Sequence, residues 1–127
     1  MKLLVIGGVA AGTKAAAKYK RVNPEAEVTI VTKGKDISYA GCGLPYYVGG
    51  AIPDKEQLIV NTPEKYSALT GAKVYPQREV TALDTAGKKA TAKNIRTGAE
   101  EIYEYDKCIV AVGASPVVPP LPGLSLP

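Results

Sequence analysis

The sequence predicts an α/β fold with a central parallel sheet and an antiparallel three-stranded β-meander. Three observations predict it. Lys2–Ile6 (KLLVI) is a short unbroken apolar run, the pattern of a strand buried on both faces. A glycine-rich turn and an Ala/Lys-rich segment follow, and Glu27–Thr32 (EVTIVT) supplies a second β-rich run. Strand, turn, helix and strand in that succession open a parallel, right-handed α/β unit. From Arg78 to Tyr105, apolar and polar residues partly alternate around Thr85-Ala86-Gly87 and Arg96-Thr97-Gly98, which reads as a meander.

The remaining elements follow in chain order. Ala11 to Val22 is rich in good helix formers, and Pro24 lies just past its end. Lys33 to Ile52 holds five glycines and reads as irregular. Thr62 is a cap and Pro63 a first helical residue for a short helix over Pro63–Leu69. Lys73–Tyr75 is a candidate third strand, and Cys108–Val112 (CIVAV) another, fully buried one, ended by Gly113. Residues 116–127 carry Pro116, Pro119, Pro120, Pro122 and Pro127 and read as an extended linker. Their P-x-x-P spacing also suits a proline-recognition ligand, a weaker reading. The expected division is therefore 1–115 as one folded unit and 116–127 as linker.

Composition narrows the function classes. The chain has 127 residues, 46% hydrophobic and 22% charged, enough for one modest core. Its formal charge of +4 comes from scattered Lys and Arg, without a nucleic-acid motif. No run approaches the ~18 apolar residues of a membrane span. Lys2 to Ala17 has some features of a secretory signal, but Gly7, Gly8 and Gly12 interrupt the run and Lys14 precedes the small residues. Two cysteines and no histidine argue against a disulfide framework and a structural zinc site. Any imidazole base must come from outside this stretch of chain.

Gly7-Gly8-Val9-Ala10-Ala11-Gly12 follows a strand and opens a helix, the context that a dinucleotide fingerprint requires. Gly7 permits the tight turn, Gly12 lets helix and strand pack closely, and N–H groups at the helix start face a pyrophosphate. Two positions depart from the pattern. Val9 stands where the middle glycine belongs, and Thr32, followed by Lys33, stands where an acid would hold the ribose hydroxyls. The turn alone does not choose between flavin and nicotinamide, and a non-catalytic nucleotide-binding module also fits it.

The segment Ser38-Tyr39-Ala40-Gly41-Cys42-Gly43-Leu44-Pro45-Tyr46-Tyr47 points to redox chemistry. Cys42 lies between two glycines, and Pro45 suits the first residue of a short helix to about Val48. A sulfur just ahead of a helix feels the positive end of its dipole, which favours the thiolate. The segment holds no second cysteine, so a partner sulfur comes from substrate, or Cys42 cycles through sulfenic acid. Cys108, inside CIVAV, fits an inert buried residue.

GGVAAG, NPEAEVTIVTKG, SYAGCGLPYYVGG and YDKCIVAVGASPVVPP together are similar to one branch of the FAD-dependent pyridine nucleotide–disulfide oxidoreductases. That branch holds coenzyme A-disulfide reductases, NADH oxidases, NADH peroxidases and persulfide reductases. The resemblance implies a Rossmann-like FAD/NAD(P)-binding domain of a cytoplasmic enzyme that uses NAD(P)H. It places Gly7, Val9, Ala10, Ala11 and Gly12 at the FAD pyrophosphate and Thr32 and Lys33 near the ribose. It places Val80 near the adenine, Ala111 and Gly113 along the cofactor, and Cys42 beside the isoalloxazine. Ser38 and Arg21 approach a coenzyme A-type substrate, although Arg21 also reads as the solvated end of the first helix. Ala111-Val112-Gly113 lacks the hydroxyl of the usual A-T-G, and Gly41 stands where reductases often have Asn. Such enzymes are longer homodimers, so the resemblance implies a fragment whose NAD(P)H-binding and dimerisation domains lie elsewhere. Alone, it is expected to hold FAD weakly or not at all and to lack NADH turnover.

Overall fold

The computed structural model describes residues 1–123; the end of the expected linker, 124–127, lies outside them. Among the described residues, nine strands and three α-helices run in chain order as β1 (Lys2–Ile6), α1 (Ala10–Val22), β2 (Glu27–Val31), β3 (Ile37–Tyr39), α2 (Leu44–Val48), β4 (Ile59–Asn61), α3 (Pro63–Thr70), β5 (Lys73–Tyr75), β6 (Arg78–Asp84), β7 (Lys89–Asn94), β8 (Glu100–Glu104) and β9 (Lys107–Val110). The parallel sheet has the order β5-β2-β1-β9. Counted along its own strands that is 3-2-1-4, one half of a doubly wound dinucleotide fold.

The unbroken apolar run of β1 is explained by what covers it. Leu3 and Val5 join Val28, Ile30, Ala16 and Tyr66 in a cluster beneath α1 and α3. Leu4 and Ile6 join Val31, Ala90, Ala92 and Tyr105 beneath the meander β6-β7-β8. Val5 and Ile30 are fully buried, each worth about 1.5–3 kcal/mol against exposure.

Helix α1 presents Gly12, Thr13 and Ala16 to the sheet at helical spacing, with Lys14, Lys18 and Arg21 exposed. It ends where Asn23 N–H donates to Tyr19 O at 2.9 Å and Pro24 follows. Lys20 Nζ, donating to Ala26 O at 2.8 Å, secures the turn into β2. Helix α3 opens as expected: the Thr62 hydroxyl accepts from Lys65 N–H at 3.2 Å and Pro63 begins the helix. Gly71 closes it at φ 73°, in the left-handed region open to glycine.

Three expectations are corrected. The stretch 33–52 is not irregular outside its expected short helix, α2: it also contains β3 and a 3-10 turn at Gly41–Gly43. β3 pairs antiparallel with β4, Ile37 opposite Asn61 and Tyr39 opposite Ile59. The run Cys108–Val112 is not fully buried. β9 stops at Val110 and lies at the sheet edge, with Val110 60% and Val112 68% exposed. An apolar strand is buried on both sides only where neighbours cover it, and β9 pairs with β1 alone. The third concerns Cys42: α2 begins at Leu44, with Pro45 in its first turn. Cys42 therefore sits within the preceding 3-10 turn and not directly ahead of a helix that starts at Pro45.

Residues 114–123 form neither helix nor strand beyond a turn near Pro122. Among the described residues, no helix is long and apolar enough to cross a membrane.

Candidate functional site

The site forms at the C-terminal ends of the parallel strands. After β1, Gly7 turns at φ 111°, and its N–H donates to Val31 O at 2.8 Å. A Cβ there would stand 2.1 Å from Ala111 O, so only glycine fits between β1 and the exit of β9. Gly12 is equally constrained from the helix side, a Cβ meeting Gly7 O at 1.9 Å. Gly8, to which the sequence reading gave no role, lies under Thr32 and Ile37, whose side-chain carbons would be 3.1 Å from its Cβ. Its carbonyl accepts from Ser38 N–H at 2.8 Å, tying the phosphate turn to β3.

Val9 in place of a middle glycine is accommodated. Its φ of −98° needs no glycine, and it is the N-cap of α1 without a side-chain cap bond. The first turn of α1 also holds no acidic residue. Its leading N–H groups have no intrahelical acceptor, which is the arrangement that binds a phosphate.

Two recesses meet at this turn. Gly7, Val9, Thr32, Lys33, Val80 and Ala111 line one cleft of about 400 Å³. Among the further lining residues that sequence reasoning missed are Gly8, Asp36, Arg78 and Glu79. Lys33 Nζ donates to Glu79 Oε1 at 2.8 Å, and Arg78 Nε to Glu101 Oε2 at 3.3 Å. Gly113 is outside this lining, exposed at φ 70° just past the edge strand.

The second recess is an open groove of about 600 Å³ with a largely apolar wall. Val9, Ala10, Thr13 and Lys14 of the α1 side face Ser38 and Cys42 across it. Cys42 is exposed. Its turn is set by Gly43, whose N–H donates to Ala40 O at 2.9 Å and whose Cβ would meet Leu58 at 2.5 Å. Gly41 is different, because a Cβ there would touch nothing within 4 Å. Of the two glycines flanking the sulfur, packing requires Gly43 alone. Ser38 holds a φ of 52°, left-handed for a residue with a side chain and a costly conformation kept beside the sulfur.

Not every expected residue comes together. Ala11 is exposed on α1 and lines neither recess, while Gly12 is buried beneath the turn. Arg21 is exposed at the far end of α1, outside the groove. It lies on the stripe of Lys14 and Ala17, about 10 Å beyond Lys14 at 1.5 Å per residue. Lys14 was missed, although its spacing of seven from Arg21 was a readable signal. Cys108 is half-buried on β9, where burial pushes its thiol up, and it does not line the Cys42 groove.

A family model of pyridine nucleotide-disulphide oxidoreductases matches residues 1–126. The chain belongs to that family. Its members are FAD-dependent oxidoreductases of Rossmann-like fold. An NADH oxidase of Enterococcus faecalis is 39% identical over 98% of the chain and 28% of its own length. A coenzyme A disulfide reductase of Staphylococcus aureus is 34% identical over 90% of the chain and 26% of its length. The reduced CoADR-RHD of Bacillus anthracis superposes with a TM-score of 0.90 at 39% identity, over 96% of the chain and 22% of that structure. The chain thus spans 22–28% of the lengths of these relatives.

Proposed function

We propose that the chain is the flavin-side portion of an enzyme that uses NAD(P)H to reduce a small-molecule disulfide through Cys42. The observation that carries this reading is that Val9, at the phosphate turn, lines both the dinucleotide cleft and the groove of the exposed Cys42. A dinucleotide anchored by its pyrophosphate at α1 is therefore within reach of the sulfur. The cleft fits such a group: the turn is closed to any Cβ at Gly7 and Gly12, and the α1 start lacks both a cap bond and an acid.

When bound, FAD supplies the two-electron relay between a nicotinamide and sulfur. The residues of this chain do the rest. The Cys42 thiolate attacks one sulfur of the disulfide, forming a mixed disulfide and releasing the other sulfur as thiolate. Two electrons that originate in NAD(P)H then break the mixed disulfide, restoring the Cys42 thiolate and freeing the second thiol. Lys14 stands in the groove to meet an anionic substrate, and Arg21 extends the same stripe for a long one such as coenzyme A. Ser38 and Gly41 border the sulfur on the β3 side.

A second reading has Cys42 cycling through sulfenic acid in an NADH oxidase or peroxidase. The 39% identity with an NADH oxidase favours it, as does a groove holding no second thiol among the described residues. Both readings place residues 1–115 in the FAD domain, followed by a linker toward an NAD(P)H-binding domain, within a homodimeric cytoplasmic enzyme.

An absorption spectrum of the full-length gene product tests the shared claim. A flavin band that gains a long-wavelength thiolate charge-transfer shoulder on reduction, lost in Cys42→Ser, is the expected result. A protein purified without flavin, or a shoulder unaffected by Cys42→Ser, overturns it. Turnover with coenzyme A disulfide against oxygen or peroxide then separates the two readings.

A further inference from the structure

A dinucleotide fold places an acid at the end of its second strand to hold the ribose hydroxyls, and this chain has Thr32 there. Thr32 is 6% exposed, packed against Gly8, and offers no charge. A carboxylate nevertheless arrives at the same place from another strand. Arg78 N–H donates to Thr32 O at 2.9 Å, and Thr32 N–H to Tyr75 O at 3.1 Å. Those bonds lay the start of β6 alongside the end of β2. One residue further, Glu79 lines the cleft with Gly7, Gly8 and Val80, and Lys33 Nζ donates to its Oε1 at 2.8 Å.

We propose that Glu79, held at the cleft by Lys33, replaces the absent strand-end acid and accepts hydrogen bonds from the adenosine ribose hydroxyls of the dinucleotide. The inference rests on the flavin reading of the cleft and assigns it a residue outside the fingerprint. A carboxylate accepts on two oxygens, so the ion pair with Lys33 leaves capacity for a hydroxyl donor.

Charge decides between a ribose diol and a ribose phosphate. Thr32-Lys33 with Arg78 nearby resembles the basic setting that accommodates a 2′-phosphate. Both cations are paired, however, Lys33 with Glu79 and Arg78 with Glu101, and Asp36 adds a negative charge to the lining. A phosphate would face carboxylates whose cations are already engaged, whereas a diol finds an acceptor. The Lys33 and Glu79 side chains are 71% and 43% exposed, so the pair contributes little to folding and its variants keep the fold.

The test uses the full-length gene product stripped of flavin, with FAD affinity read by quenching of flavin fluorescence. Two ligands are compared: FAD, and FAD lacking the 2′-hydroxyl of its adenosine ribose. Glu79→Gln is expected to weaken FAD about tenfold, the scale of a hydrogen bond to a charged group. Wild type should prefer FAD over the deoxy ligand, and Glu79→Ala, which leaves no acceptor there, should bind the two alike. Unchanged FAD affinity in Glu79→Gln, or an undiminished preference for the hydroxyl in Glu79→Ala, overturns the proposal while the flavin reading stands. A wild-type protein that binds no FAD removes both.

Discussion

Gly12 rests on the carbonyl of Gly7: a Cβ at position 12 would stand 1.9 Å from that oxygen and 3.1 Å from Val5 Cγ1. Two effects oppose each other in Gly12→Ala. Alanine is worth about 1 kcal/mol over glycine inside a helix. Against that, the obstructing atom is backbone in a turn already pinned by Gly7 N–H to Val31 O, and overpacking of such a site costs about 1–3 kcal/mol. Overpacking wins, because the turn cannot yield without moving β1. Gly12→Ala should lower the urea midpoint and weaken dinucleotide binding. Gly41→Ala, with open space around it, should stay within about 0.5 kcal/mol of wild type. Equal midpoints for the two variants would sink the argument.

The two cysteines should separate cleanly by reactivity. Cys42 is exposed in its groove, while Cys108 is half-buried on β9 and burial pushes its thiol up. Brief treatment with iodoacetamide at neutral pH should alkylate Cys42 at least about tenfold faster than Cys108, read by mass spectrometry of the peptides. Unfolding in urea should erase most of the difference. Comparable rates in the folded protein would remove the distinction on which the assignment of Cys42 rests.

Legibility in the sequence followed how local the determining contacts are. KLLVI and GGVAAG were readable because strand, turn and helix follow one another directly, and the Thr62-Pro63 start of α3 because a cap is a contact within one turn. β3 and β4 were not readable: three residues are too few for a period, and β3 is placed by distant contacts, Ser38 N–H to Gly8 O and the pairing of Ile37 with Asn61 and Tyr39 with Ile59. CIVAV was misread as buried because an apolar run does not record that its strand ends a sheet. Within the site, Cys42 was marked by its own neighbours. Glu79 was not, because its partner Lys33 is 46 residues away and only the joining of β2 to β6 brings them together.

Tyr66 ties the two helices that frame the site. It is 5% exposed, and its hydroxyl donates to Thr13 O of α1. Burial raises its ionisation above the ordinary tyrosine value, which keeps it a neutral donor. Tyr66→Phe removes one hydrogen bond and leaves the ring in place, so it should cost about 0.5–1.5 kcal/mol. Tyr66→Ala also leaves a cavity among Val5, Ala16 and Ile30 and should cost about 3–5 kcal/mol. Chemical unfolding of both measures the gap, and equal losses would show that the ring contributes nothing beyond the hydroxyl.

Glu101 gives the meander an acid sensitivity. Its carboxylate accepts from Tyr103 OH at 2.5 Å, Asn94 Nδ2 at 3.0 Å and Arg78 Nε at 3.3 Å. The Tyr103 hydroxyl above all, then Asn94 and Arg78, hold the carboxyl below its ordinary value of 4.5. A carboxyl depressed in the folded state stabilises the fold fully above its unfolded value, and that contribution is lost as pH falls through the lower folded value. Wild-type stability should therefore decline more steeply, as pH falls below the ordinary carboxyl value of 4.5, than that of Glu101→Gln, which has no proton to take up at this position. At neutral pH the order should be wild type above Glu101→Gln, with the two curves converging in acid. Parallel curves across that range would show that its partners do not favour the ionised carboxylate in the folded protein. Because Arg78 borders the dinucleotide cleft and is held by Glu101, FAD retention should fall over the same interval in wild type and change less in Glu101→Gln.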